Sequence, residues 1–346
     1  MSTPRNIGFL DFAKGYAIGT IVLYHAFQRI DLPAIWQQAV AFGGSGVHLF
    51  FLLSGFGLAL SRSALTPLEF YQRRALKVWL PYVIALSLSL LGALTLNLFA
   101  DRWAAWLAGV GLYQMFEEPY IHSFGGHFWF ISAIIQFYLV YPVLARVKNW
   151  FANPWYYFAG CMAVSVAWWL IVWFSGHDGM RTWNSFFLQF LWEFGLGQVL
   201  AGVYLKNSGG RVKGDFWNYP AWGWYLVAGL LFLGLMVLMI RTMGPAGRVF
   251  NDVPALFGYS ALCIFIYRLA DQWLPPVRQF FIWVGGVSYS LYLVHVLVLD
   301  LLLMGLGAMG LSFSMVWVIV FLGLALVAAR LFEGLIAYLP GLKKAA

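Results

Sequence analysis

Three ionisable residues, Asp11, Lys14 and His25, interrupt the apolar run LDFAKGYAIGTIVLYHAF. Ionisable groups inside such a run are costly in lipid and commonly functional. Lys14 and His25 are 11 residues apart, about three helical turns plus roughly 20°, so they share one helix face about 16 Å apart along the axis. Asp11 stands three residues before Lys14, close enough to pair with it. One stripe therefore carries a cation near the cytoplasmic end and an imidazole well toward the outer side. Taken singly, Lys14 also reads as a snorkelling anchor, and His25 as a hydrogen-bonded packing residue.

Further polar positions have the same double reading. Arg73, Arg74 and Lys77 in FYQRRALKVWLPY are either a cytoplasmic anchor or a clamp for phosphate oxygens, which Arg grips with its fork. In GGVSYSLYLVHVLVLD, Ser288, Tyr292 and His295 fall at i, i+4 and i+7 on one face. That face belongs inside a bundle, as a hydrogen-bond network or a reaction surface. Glu193, in another apolar run, requires a partner or a proton. The glycines and serines of GGSGVHLFFLLSGFG permit close helix approach; Gly44, Ser45 and Gly46 could also offer backbone N–H groups to an anion. No His, Cys or acidic spacing nominates a metal. The two cysteines, Cys161 and Cys263, lie in apolar runs and form no framework.

The elements that carry these residues follow from composition. Of 346 residues 62% are apolar and 10% charged, against about 25% charged in soluble domains. Too little charge is present to cover a water-facing surface, so the expected fold is all-α and polytopic, with lipid as solvent. Segments of about 20 apolar residues predict ten spans near 10–28, 44–60, 76–98, 127–147, 153–174, 186–205, 220–240, 254–271, 279–304 and 311–336. Trp103 to Phe116 is too short to cross and reads as an interfacial or re-entrant helix. The longest loop, 99–126, holds Glu117, Glu118, His122 and a Gly125-Gly126 hinge. The first span is expected to be retained, since Met1 to Gly8 is short and polar for a leader.

With both termini placed in the cytoplasm, inside segments carry fifteen Lys and Arg, including Arg5, Arg62, Arg211, Lys213, Lys343 and Lys344. Outside segments carry five: Arg29, Arg102, Arg181, Arg241 and Arg248. This is the positive-inside bias. It accounts for the net charge of +8 through membrane contact, without invoking nucleic acid. No repeat or low-complexity segment divides the chain, which reads as one domain, 1–346.

Five motifs in order resemble acyltransferase family 3. LDFAKGYAIGTIVLYH is similar to the family's opening pattern, with Lys14 in an Arg position and His25 closing it. Gly46 to Phe56 matches GVxLFFxLSGF. Arg73, Arg74 and Lys77, with Pro81 after, match a basic RRxxR segment. Trp129 to Pro142 matches WFxxxxxQFYLxYP, and Ser288 to His295 matches SYSxYLxH. There are departures: His48 and the pair Ile134 and Ile135 stand where many relatives carry acidic residues, and Lys77 keeps charge but loses the fork.

The resemblance implies a membrane O-acyltransferase of the cytoplasmic (inner) membrane. It would move an acyl group, acetyl above all, from cytoplasmic acyl-CoA to a hydroxyl of an extracytoplasmic saccharide or glycolipid. No metal is implied. Lys14, Arg73, Arg74 and Lys77 would hold the CoA donor. His25 would be the general base, with Asp11, Tyr138, Ser288, Tyr292 and His295 completing the catalytic set; Tyr138, Ser288 or Tyr292 would orient the hydroxyl or steady the oxyanion. The competing reading is a transporter or flippase for a polar or lipid-linked solute, which buried charge in many spans suits equally.

Overall fold

A computed structural model describes residues 8–33, 36–37, 40, 42–61, 65–100, 102–207 and 222–338. Among these, all regular structure is helical. Nine described helices are long and apolar enough to cross a membrane, which makes the chain an integral membrane protein. The Gly8–Phe27 helix, 20 residues long, lies where the first span is expected. Its Asp11, Lys14 and His25 dilute its hydropathy, and it is not among the nine. Of the cations used to orient the chain, Arg5, Arg62, Arg211, Lys213, Lys343 and Lys344 lie outside the described residues.

Two boundaries differ from expectation, each for a local reason. The third span begins at Pro67 and runs to Thr95, so the basic residues sit on the helix and not ahead of it. Thr66 closes a capping box with Glu69: its hydroxyl accepts from the Glu69 N–H at 3.3 Å, and Glu69 Oε2 accepts from the Thr66 N–H at 2.8 Å. Pro67 at the first helical position needs no amide partner. The ninth span begins at Ser288. Residues expected to open it form a separate helix, Pro275–Gly286, too short to cross.

The chain folds into two compact units. One comprises the described parts of Met1–Gly19, Gly44–Ala64 and Val143–Gly286; the other, those of Thr20–Gly43, Leu65–Pro142 and Val287–Ala346. In the first unit the Gly46–Leu60 and Leu191–Asn207 helices meet backbone to backbone. A Cβ on Gly55 would stand 2.1 Å from the carbonyl oxygen of Phe194, and one on Gly197 2.1 Å from that of Leu52. No side chain fits there, and small residues are what let membrane helices approach this closely. This bears out the packing role of the glycine-rich second span.

In the second unit the stretch Trp103 to Phe116 forms the eight-residue helix Trp103–Val110 and the 3-10 turn Tyr113–Phe116. At about 1.5 Å per residue the helix covers roughly 12 Å and cannot cross. Trp103, Leu107 and Phe116 are exposed, as an interfacial element requires. Tyr82 and Ser132 fasten this stretch through Gln114, whose amide donates to their hydroxyls at 3.2 and 2.8 Å.

Candidate active site

The second unit gathers three imidazoles. The ring centroids of His25 and His295 are 5.1 Å apart, those of His127 and His295 5.1 Å, and those of His25 and His127 6.4 Å. His25 comes from the last turn of the Gly8–Phe27 helix and His295 from the second turn of Ser288–Ala308. His127 follows a tight turn just ahead of Trp129–Lys148. That turn explains the glycine pair read as a hinge. Gly125 and Gly126 have φ of +90° and +73°, a region open to Gly at little cost. A Cβ on Gly125 would also stand 2.4 Å from Val296 Cγ1. The turn therefore seats His127 against the helix that carries His295.

The histidines differ in access and in hydrogen bonding. His25 is partly exposed, whereas His127 and His295 are 3% and 0% exposed. His295 Nδ1 lies 3.1 and 2.8 Å from the carbonyl oxygens of Leu291 and Tyr292. Only a protonated Nδ1 donates to carbonyls, so this assigns the neutral ring's lone pair to Nε2. Among the described residues, His295 Nε2 is buried without a hydrogen-bond partner. Buried polar atoms left in that state point to a ligand or a proton path. His25 is thus the accessible member of a group with unused proton-accepting capacity behind it.

The closing motif carries two more of the expected site residues. Tyr292 donates its hydroxyl to the His127 backbone carbonyl, so its proton is engaged in holding the turn. Ser288 opens the same helix and is 7% exposed. Tyr289, which the sequence reading passed over, donates to the Val78 carbonyl at 2.6 Å.

Val78 lies in the basic segment, where the helix widens. Ala75–Trp79 is a π-turn whose Ala75 carbonyl accepts from the Leu80 N–H, five residues on. Pro81 supplies the cause: it has no N–H to give to Lys77, and its ring crowds that carbonyl. Such bulges are frequent at functional sites. Arg73 and Lys77 are exposed and Arg74 half-buried. The Arg74 guanidinium carbon sits 5.4 Å from the ring centres of both Phe70 and Tyr138. Tyr138, expected beside the acceptor hydroxyl, is placed against this cation. The two rings hold the fork by cation–π contact.

Asp11 and Lys14 belong to the first unit and pair with each other, Nζ to Oδ1 at 3.0 Å. The first unit also answers what Glu193 requires. His48 Nδ1 lies 2.7 Å from Glu193 Oε1, and Asp252 joins them, its Oδ1 3.8 Å from His48 Nε2. Asp252 was not singled out in the sequence; its place as first residue of the Asp252–Trp273 helix reads there as an ordinary helix start. His127 too was missed, although the glycine pair just before it was the available signal.

No curated protein and no solved structure matches the chain. A family model described as an acyltransferase domain matches residues 7–331, a stretch that takes in both units and every motif described above. The chain belongs to acyltransferase family 3.

Proposed function

We propose that the protein is an O-acyltransferase of the cytoplasmic membrane, with both termini inside, that moves an acyl group, most simply acetyl, from cytoplasmic acyl-CoA to a hydroxyl of an extracytoplasmic saccharide or glycolipid. The observation that carries this reading is the gathering of His25, His127 and His295, in the same unit as the cations Arg73, Arg74 and Lys77. An imidazole is suited to proton removal from a hydroxyl at neutral pH. A forked guanidinium is suited to the phosphates of the donor.

In this mechanism Arg73, Arg74 and Lys77 hold the CoA phosphates. Tyr138 and Phe70 keep Arg74 from collapsing into solvent. Lys14, paired to Asp11, adds positive charge on the helix that carries His25. His25 takes the acceptor's hydroxyl proton as that oxygen attacks the thioester carbonyl. The C–O bond forms, the C–S bond breaks, and the proton passes from the imidazolium to the departing thiolate. His295, through Nε2, steadies the imidazolium. Ser288 orients the acceptor hydroxyl, while Tyr292 positions His127.

The test is transfer of radiolabel from acetyl-CoA to total cell-surface glycan, in cells making the wild type or His25→Ala at equal membrane level. Label with the wild type alone supports the reaction and the base. Equal label from both discards His25. Movement of unmodified solute without label supports transport instead.

A further inference from the structure

His48, Glu193 and Asp252 come from three helices of the first unit, Gly46–Leu60, Leu191–Asn207 and Asp252–Trp273. They are 7%, 0% and 3% exposed. One ligating atom from each lies within 4.8 Å of the other two. Asp252 is held from behind: Gln189 Nε2 donates to its Oδ2 at 2.7 Å and to the Val249 carbonyl, also at 2.7 Å. This leaves Oδ1 turned toward His48. Independently, among the described residues Glu193 Oε2 and Gln189 Oε1 are buried with no hydrogen-bond partner.

Two carboxyl groups sealed in a membrane bundle require positive charge or protons. The charge of Arg181 reaches His48 and Asp252, but Arg181 is partly open to solvent. One turn along the same three helices, Leu52, Leu196 and Leu256 line an apolar cavity of about 180 Å³. Such a wall keeps the local dielectric low and strengthens any ionic bond formed beside it.

We propose that His48, Glu193 and Asp252 bind one divalent transition-metal ion, with Gln189 orienting Asp252 and the ion clasping three helices. One imidazole and two carboxylates form a donor set for Zn²⁺, Mn²⁺ or Fe²⁺. Two carboxylates cancel the ion's charge, and a neutral imidazole adds a donor without adding charge. Donor atoms about 2.1 Å from a common ion stand roughly 3–4 Å apart. His48 now faces Glu193 through Nδ1 and Asp252 through Nε2, so binding one ion requires the ring to turn until a single nitrogen faces both carboxylates, a shift of side-chain size. The orienting amide is the kind of support that metal ligands characteristically have.

The experiment uses the full chain in detergent, stripped with chelator and dialysed separately against Zn²⁺ and Mn²⁺, with bound metal counted by mass spectrometry. The expected result is about one ion per chain, a higher melting temperature with metal, and loss of both effects in His48→Gln and in the near-isosteric Glu193→Gln. Gln189→Leu should weaken binding about 10- to 100-fold. His177→Ala, which removes an unrelated histidine, should change nothing. A wild type that binds no ion overturns the proposal and leaves Arg181 and protons to balance the carboxyls. An ion that survives both His48→Gln and Glu193→Gln is adventitious and overturns it equally.

Discussion

Each unit buries histidine among membrane helices, and the two sites differ in what surrounds the ring. In the second unit, His25 is partly exposed and its ring neighbours are Tyr24 and two further imidazoles. In the first, His48 is enclosed between two carboxyl groups. An imidazole near solvent and other neutral rings can take and return a proton at modest cost. One sealed between carboxyls is bound up with balancing their charge. The same side chain is thus fitted to turnover in one place and to holding charge in the other, and the neighbours decide which.

The comparison is sharpest at His25. His25→Ala should cut acyl transfer by about 10²- to 10⁴-fold, the range for loss of a general base, with membrane level unchanged. A loss of protein in step with activity would instead make the histidine group structural.

Glu193→Ala should act on folding. It leaves His48 and Asp252 buried with less to satisfy them, at a cost of about 1–3 kcal/mol, read as a lower melting temperature and more aggregation in detergent. Unchanged melting would show that Glu193 supports nothing and would erase the contrast between the sites.

Arg74→Gln should raise KM for acyl-CoA about tenfold while leaving kcat nearly unchanged, as expected when a charged hydrogen bond of about 1.5–3 kcal/mol serves binding alone. A fall in kcat with KM unaltered would remove Arg74 from the donor site.

The smallest effect is expected from Tyr292→Phe. Its hydroxyl bonds a backbone carbonyl, and losing one such bond costs about 1 kcal/mol, a several-fold drop in turnover. A loss as large as that of His25→Ala would mean that the hydroxyl touches substrate.

Much of this was legible in one dimension. Hydropathy and the scarcity of charge determine an all-helical membrane protein, because lipid leaves the backbone few other ways to satisfy its hydrogen bonds. His25, Arg73, Arg74, Lys77 and His295 stand out as polar interruptions or basic runs beside apolar segments, and the five motifs carried the family. Even the early start of the third span was written in Thr66-Pro67-Leu68-Glu69, a capping signal overlooked beside the stronger apolar run that follows. Which side chains meet was decided by the fold. His127 joins His25 and His295 only because two glycines turn the chain beneath Val296. Tyr138 serves Arg74, and Tyr292 spends its proton on a carbonyl, since both face neighbours many residues away. His48 and Glu193 are 145 positions apart, and helix periodicity relates residues within one helix only. The partner of a buried charge is chosen by helix packing, so it becomes visible only once Gly55 and Gly197 have brought two backbones together.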